Sequence, residues 1–354
     1  MKAAFLLAAA GWDCQALGSG QEACDTEGCA SDAAGLLQVR SESATTHVDA
    51  VELTTPLVHA VYTYGAPATK GEPFRNAATQ DGCFPGLRSY TEDILGAFDE
   101  IHQVDAAAMH NFYPHSRTAS VILHLGKDSI YTPCNTEVDG HPDMPKRGPS
   151  IFHEWRLHQE DDYVGRLKAM TIDGAPATEK EPFKTARLFA DLAWRSYDTF
   201  EDAKAWISGK MPDWSLVTHA MYTWGLDEDP LLVVQQASTL DCAIVFAGTN
   251  DFSEFSASTT QHETSFCGFE GVHIGYANEV RNLMSHLGKF ISPSLAKCRE
   301  VTCVGHSLGG SLCEVFAACA NSGNATDPDY KALAWNKETP VLQAVAEKSM
   351  LSED

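Results

Sequence analysis

The sequence predicts an α/β fold with a mostly parallel β-sheet flanked by helices, and three observations predict it. Strand-like runs alternate with helix-like runs along most of the 354 residues. A β-branched run at 301–304 leads through a glycine-rich turn into an apolar, helix-like segment at 308–320. An amphipathic helix is predicted before that run, at Gly275–Phe290, and its apolar face carries Ala277, Val280, Leu283, Met284 and Leu287.

Composition and net charge indicate which classes of partner are not expected. The chain is 44% hydrophobic and 21% charged, as globular proteins are, and its formal net charge is −23. Nucleic acid is therefore not expected as a partner, because phosphate binding needs a basic face. There is no C-x-x-C pair and no His/Cys cluster at zinc spacing, so neither a metal nor a cofactor is expected.

The N-terminus resembles a secretory signal. Lys2 precedes the apolar run Ala3–Trp12, and Cys14-Gln15-Ala16 has the small residues of a cleavage site. The sequence predicts a signal peptide at 1–16, a flexible leader at 17–50, and a secreted or lumenal protein. An apolar N-terminal tail is the alternative.

Cysteine usage fits the secretory pathway. Ten cysteines remain after the predicted cleavage, which indicates some disulfides, and Cys24 with Cys29 is a plausible local pair. Cys303 and Cys313 fall within a predicted strand and a predicted helix, so we expect buried free thiols there. Asn324-Ala325-Thr326 is a glycosylation sequon in a polar turn, which predicts a glycoprotein.

Hydrophobic periodicity and turn residues locate the other elements. The segment ending at Gly65 is β-rich, and 172–213 has a polar helical pattern. The remaining predictions are a helix at Thr91–Asp99, a hairpin of Ser120–Leu125 with Ser129–Tyr131, and strands at Leu231–Gln235 and Ala243–Ala247. The sequence contains one short repeat. Gly-Ala-Pro-Ala-Thr occurs at 65–69 and again at 174–178, and each copy is followed by Glu-Pro-Phe at the same spacing.

The residues Gly305-His306-Ser307-Leu308-Gly309 fit the pattern G-x-S-x-G. In this pattern the serine lies on a strained strand-to-helix turn, and glycines two residues away on either side remove Cβ atoms that would collide. The strand-like run before the turn and the helix-like run after it supply the required context. Ser307 is therefore the candidate nucleophile.

Four segments resemble the class 3 lipases, the fungal-type triacylglycerol lipase branch of the α/β-hydrolases. Cys242–Thr249 (CAIVFAGT) is similar to the family's strand ending in F-R-G-T/S, with Ala247 at the arginine position. The other three are Val272–Tyr276 (VHIGY), the elbow Gly305–Gly310 (GHSLGG), and Val61–Pro67 (VYTYGAP), which is similar to a strand that follows the elbow in the family.

The last of these segments is displaced to the front of the chain. The resemblance therefore implies an α/β-hydrolase-like fold that is circularly permuted or built from two half-domains. We expect the family's second half, with the acid and base, at 51–170, a helical connector at 171–213, and the first half, with oxyanion loop and elbow, at 214–354. Because Val58–Tyr64 would then neighbour the nucleophile strand, we expect it to pair in parallel with Val301–Gly305.

The resemblance also assigns roles to residues upstream of the elbow, since no histidine follows Ser307. His158 is the candidate general base and Asp105 its orienting acid; the backbone N–H of Leu308 and Thr249 would form the oxyanion hole. The alternatives left open for the base and the acid are His153, His115 and His141, and Asp128 and Asp139, respectively.

The implied activity is hydrolysis of carboxylic esters of lipids through an acyl-enzyme, with transient contact to a lipid surface. Asp251–Phe266 occupies the position of the family's lid but is weakly amphipathic, which favours a general esterase or phospholipid acyl hydrolase. Two competing functions remain: a non-catalytic or incomplete lipase-like domain that acts as a binding or structural module, and a peptidase or acyltransferase on the same elbow. The sequence does not indicate the oligomeric state.

Overall fold

The structure is a computed structural model, and its description covers most of the chain between residues 58 and 333. The described residues are 38–41, 58–66, 69, 74–76, 79, 82–90, 119–124, 129–131, 160–172, 175–176, 183–224, 227–248, 262–324 and 326–333. The expected signal peptide, the Cys24–Cys29 pair and the helix at Thr91–Asp99 lie outside these residues.

A nine-stranded mixed sheet forms the centre of the fold, in the order β1-β8-β9-β10-β13-β2-β3-β4-β5. Its strands are β1 (Gln38–Ser41), β2 (Val58–Tyr64), β3 (Phe84–Tyr90), β4 (Ala119–His124), β5 (Ser129–Tyr131), β8 (Trp214–Trp224), β9 (Asp227–Gln236), β10 (Cys242–Phe246) and β13 (Val301–His306). Two separate hairpins consist of β6 (Thr171–Ile172) with β7 (Ala175–Pro176) and β11 (Glu263–Phe266) with β12 (Phe269–His273).

The five central strands, β10, β13, β2, β3 and β4, run parallel, and the outer pairs are antiparallel. Thr302 is opposite Ala60 and His306 is opposite Tyr64, which confirms the predicted parallel pairing of β2 with β13. Strands from both ends of the sequence therefore belong to one sheet. Both strands are largely buried, so their backbone polar groups need partners within the sheet, and this pairing supplies part of them.

Helices cover both faces of this sheet. They are α1 (Glu160–Ala169), α2 (Phe183–Arg195), α3 (Phe200–Lys210), α4 (Ile274–Leu295), α5 (Leu308–Asn321) and α6 (Pro328–Ala332). Side chains of β10 alternate between the faces: Ile244 packs with α4 and α5, whereas Val245 packs with α1, α2 and α3. The observed architecture is thus α/β, with two apolar layers around one sheet. Helix α5 is buried along its whole length.

Most predicted elements in the described part are confirmed, but the structure also has elements that were not predicted, among them β3, α1 and the β11–β12 hairpin. Residues 38–41, within the expected leader, form β1 and pair with the outer edge of β8, so the leader expectation does not hold for them. Strand β8 itself was not predicted, because its Trp, His and Thr residues hide the two-residue alternation. The predicted helical segment 172–213 holds a short hairpin followed by two helices.

Candidate active site

Ser307 lies between the end of β13 and the start of α5, where the chain turns sharply. Its backbone has φ +55° and ψ −131°, a conformation that non-glycine residues rarely adopt. Such a conformation costs about 1–3 kcal/mol and persists only where the surrounding structure enforces it. The strained turn predicted from the G-x-S-x-G pattern is therefore present.

The two flanking glycines are required by backbone contacts. A Cβ added to Gly305 would lie 2.2 Å from the carbonyl oxygen of Gly309, and one added to Gly309 would lie 2.2 Å from that of Phe246. Both contacts involve main chain, which cannot rotate away as a side chain can. β13, α5 and β10 can approach this closely only because neither Gly305 nor Gly309 has a Cβ atom.

Hydrogen bonds fix the backbone of the turn. The N–H of Ser307 donates to the carbonyl of Tyr64 at 2.9 Å, and the N–H of Gly310 donates to the carbonyl of Ser307 at 3.0 Å. Ser307 is 8% exposed. The side chain of Tyr64 is held in turn, because its hydroxyl donates to the carbonyl of Ala186 in α2, and burial raises its pKa well above the ordinary value.

The end of β10 lies against the elbow. A Cβ added to Gly248 would be 2.9 Å from Cβ of Ser307 and 2.6 Å from the carbonyl oxygen of His306. Gly248 immediately precedes Thr249, the residue expected to complete the oxyanion hole. Thr249 itself lies outside the described residues, whereas Leu308 is the first residue of α5 and is buried. An N–H at a helix start has no partner within the helix, and the helix dipole there favours negative charge.

Aromatic side chains surround His306, the residue before Ser307. The ring of Trp194 lies 5.5 Å from the imidazole, that of Tyr163 5.8 Å and that of Tyr197 6.1 Å, measured between ring centroids. Nδ1 of His306 lies 3.1 Å from the hydroxyl oxygen of Tyr197. These contacts hold His306 in place beside Ser307.

A buried ion pair joins helix α5, which follows Ser307, to strand β3. Arg88 of β3 donates to Glu314 of α5 at 3.0 Å, and both side chains are fully buried. Arg88 also donates to the carbonyl of Ala66, and the hydroxyl of Thr69 donates to the other carboxylate oxygen of Glu314 at 3.2 Å. The loop after β2 is thereby tied to α5, beside Gly310, whose added Cβ would meet Ala66 at 2.6 Å.

Sequence reasoning missed this pair. The available signal was Glu314, a single carboxylate within an apolar helix, since a buried charge of this kind needs a partner. Nothing in the sequence indicated that the partner would be Arg88, which is 226 positions away.

The predicted base and acid lie outside the described residues. This applies to His158 and Asp105, and also to the alternatives His153, His115, His141, Asp128 and Asp139. Their pairing with Ser307 stays a prediction. The nearest described segment after His158 is α1, which begins at Glu160. Its residue Tyr163 packs its ring against His306.

The structure contains the disulfides Cys242–Cys298 and Cys267–Cys319. Cys303 and Cys313 are free and buried, as predicted. Burial is the main cause of the raised pKa of both thiols, so both are protonated at neutral pH and unreactive.

Part of the segment expected as a lid belongs to the core. Its last four residues form β11, and Phe266 is buried and packs with the core beside α4. Phe252 and Phe255 lie outside the described residues.

Within the part of the chain that the structure describes, no three histidine, cysteine or acidic side chains are grouped closely enough to hold a metal ion. Among the described helices, none has both the length and the apolar character needed to cross a membrane.

Searches against protein-family models, curated proteins and solved structures found no significant match to this chain. The class of protein that fold and site define is therefore an α/β protein with a strained serine turn at the end of a central parallel strand.

Proposed function

We propose that this chain is a serine ester hydrolase of the lipase and esterase type, similar to the class 3 lipases, which cleaves carboxylic esters of lipids through an acyl-enzyme. The observation that carries the proposal is the strained, enclosed Ser307 turn, with Gly248 packed against it. A conformation this unfavourable, enforced by glycine contacts and backbone hydrogen bonds, is typical of a site that must hold a nucleophile in one orientation.

Under this proposal Ser307 attacks the ester carbonyl while His158 takes its proton and later protonates the leaving alcohol. Asp105 orients the imidazole and stabilises its charged form. The N–H groups of Leu308 and Thr249 donate to the oxyanion that develops on the carbonyl oxygen. The helix dipole of α5 adds to this stabilisation because Leu308 begins the helix.

The fold assignment within this proposal is a permuted α/β-hydrolase. The parallel pairing of β2 with β13 supports it, because the similar strands are neighbours in that family. The position of Tyr163 supports the choice of His158, since a residue five positions after His158 packs its ring against His306. Secretion completes the proposal, and the two disulfides are compatible with it.

The test is hydrolysis of p-nitrophenyl butyrate by the purified chain, together with labelling by a fluorophosphonate probe. We expect Ser307→Ala to lower kcat/KM by at least about 10³-fold and to remove labelling, because the hydroxyl carries the covalent step. Ser292→Ala is the matched control, since Ser292 is a buried serine whose hydroxyl donates to Gly288 within α4.

The same assay tests the base. His158→Ala should reduce hydrolysis as strongly as Ser307→Ala does, and His153→Ala should leave it near the original rate. A folded wild-type chain with no hydrolysis and no labelling would contradict the proposal and favour the non-catalytic binding module. Labelling that persists in Ser307→Ala would contradict the choice of nucleophile.

A further inference from the structure

We propose that Tyr197 is a positioning residue for this site. Its hydroxyl accepts a hydrogen bond from Gly248 and donates one to His306. It thereby sets the distance between Gly248, which precedes the expected oxyanion donor, and the turn that carries Ser307. The inference rests on the proposed function. Tyr197 belongs to the turn between α2 and α3 and to none of the segments that resemble the lipases.

The hydroxyl of Tyr197 contacts both the segment after β10 and the elbow. The N–H of Gly248 donates to it at 2.9 Å, and Nδ1 of His306 lies 3.1 Å from it. A phenol carries one proton. Once its oxygen accepts from Gly248, that proton can go to Nδ1 of His306, which leaves the ring proton on Nε2 and the imidazole neutral.

The hydroxyl also occupies the space that a side chain at position 248 would need. A Cβ added to Gly248 would lie 2.2 Å from the Tyr197 oxygen. Glycine at this position therefore allows the phenol to reach the backbone at the end of β10. The bond to Gly248 holds the peptide between Ala247 and Gly248, one residue before Thr249, the second oxyanion donor of the proposed function.

The phenol ring is itself well supported. The N–H of Tyr197 donates to the carbonyl of Trp194 at 3.2 Å, and the two rings lie 5.1 Å apart between centroids. Trp194 and Tyr163 both pack against His306, which is 5% exposed. Hydrogen bonds in such an enclosed setting are stronger than in water and hold one geometry.

A residue in this position acts on the transition state more than on substrate binding. Removal of a direct oxyanion donor costs about 10²–10³-fold in kcat, and a small displacement of a catalytic group also has a large effect. Loss of the Tyr197 hydroxyl leaves the donors present but less well placed. We therefore expect Tyr197→Phe to lower kcat by about 10- to 100-fold while KM stays near its original value.

The experiment compares Tyr197→Phe with Tyr330→Phe, which removes a hydroxyl from α6, away from the elbow. For each variant, kcat and KM are measured with p-nitrophenyl butyrate, and the end-point of fluorophosphonate labelling counts the competent serines. The expected result is a lower kcat and slower labelling of Tyr197→Phe, with the same labelling end-point. Tyr330→Phe should match the wild type.

A ¹⁵N spectrum of histidine-labelled wild-type protein tests the hydrogen bonds without depending on activity or on the stability of Tyr197→Phe. The His306 signal, assigned by its loss in His306→Asn, should show a neutral ring with the proton on Nε2. A proton on Nδ1 would overturn the donor arrangement. An unchanged kcat in Tyr197→Phe, with an active wild type, would overturn the positioning role alone. An inactive wild type that no probe labels would instead contradict the proposed function.

Discussion

The two ends of the central strands are held in different ways. At the amino ends, the Cys242–Cys298 disulfide joins the start of β10 to the segment before β13. Arg299 makes two hydrogen bonds to Asp241 there, and the side chain of Asn321 binds both the N–H and the carbonyl of Val58 at the start of β2. Each of these contacts holds one element to another.

At the carboxyl ends, a strained serine turn and a buried pair of charges lie close together. There the chain combines a positive φ at Ser307, backbone contacts that exclude Cβ atoms, and the fully buried pair of Arg88 and Glu314. The comparison indicates that the amino ends of these strands hold the fold alone, whereas the carboxyl ends hold both the fold and the geometry of the site. If so, changes at the carboxyl ends should cost more and should also alter the site.

The largest effect is expected for Gly309→Ala. The new Cβ would lie 2.2 Å from the carbonyl oxygen of Phe246, so β10 and α5 must separate, and we expect a loss of more than about 4 kcal/mol in the free energy of unfolding. Gly165→Ala in α1 is the control, because nothing lies within 4 Å of its added Cβ. It should raise stability by about 0.5–1 kcal/mol. Equal denaturant midpoints for the two variants would refute the contact argument.

Glu314→Gln should have the next largest effect. It leaves the charge of Arg88 buried without a carboxylate, which typically costs about 3–5 kcal/mol. Because Thr69 also binds Glu314, the loop after β2 should loosen, and amide exchange near Ala66 should accelerate. The double variant Arg88→Met, Glu314→Met should recover much of the stability, since two apolar groups replace both charges. A double variant less stable than Glu314→Gln would contradict this account.

A smaller effect, confined to stability, is expected at the amino ends. Removing the disulfide by Cys242→Ala with Cys298→Ala opens a loop of 56 residues, for which chain entropy predicts a loss of about 4 kcal/mol and measured losses are often about 2–4. Ester hydrolysis by the folded fraction should not change. Arg299→Gln, at the exposed ion pair nearby, should leave the melting temperature close to that of the wild type. A lower kcat in the folded disulfide variant would show that the two ends are coupled.

Local sequence pattern was sufficient for most elements and for the strained turn at Ser307. The apolar face of α4 follows from helical periodicity, and Ser307 follows from its flanking glycines and the runs on either side. Free, buried Cys303 and Cys313 follow from the elements that carry them. These features depend on neighbours within a few residues, so the sequence alone predicts them.

The repeated pentapeptide marks the limit of such reasoning. In the first copy, after β2, Ala66 and Thr69 are buried and bound to Arg88 and Glu314. In the second copy, Ala175–Pro176 forms β7 of a short hairpin, and Pro176 is exposed. The same residues therefore take different structures, and at the first copy the side chains that bind them, Arg88 and Glu314, come from distant parts of the chain.

By itself, the sequence determined the α/β class, the strand-turn-helix around Ser307 and, through a family resemblance, the pairing of β2 with β13. Only the tertiary structure decided that Arg88 would meet Glu314 and that Tyr197 would bridge Gly248 and His306. The physical reason is that periodicity and turn chemistry act between near neighbours. Buried polar contacts instead join residues far apart in the chain, and their partners are chosen by packing.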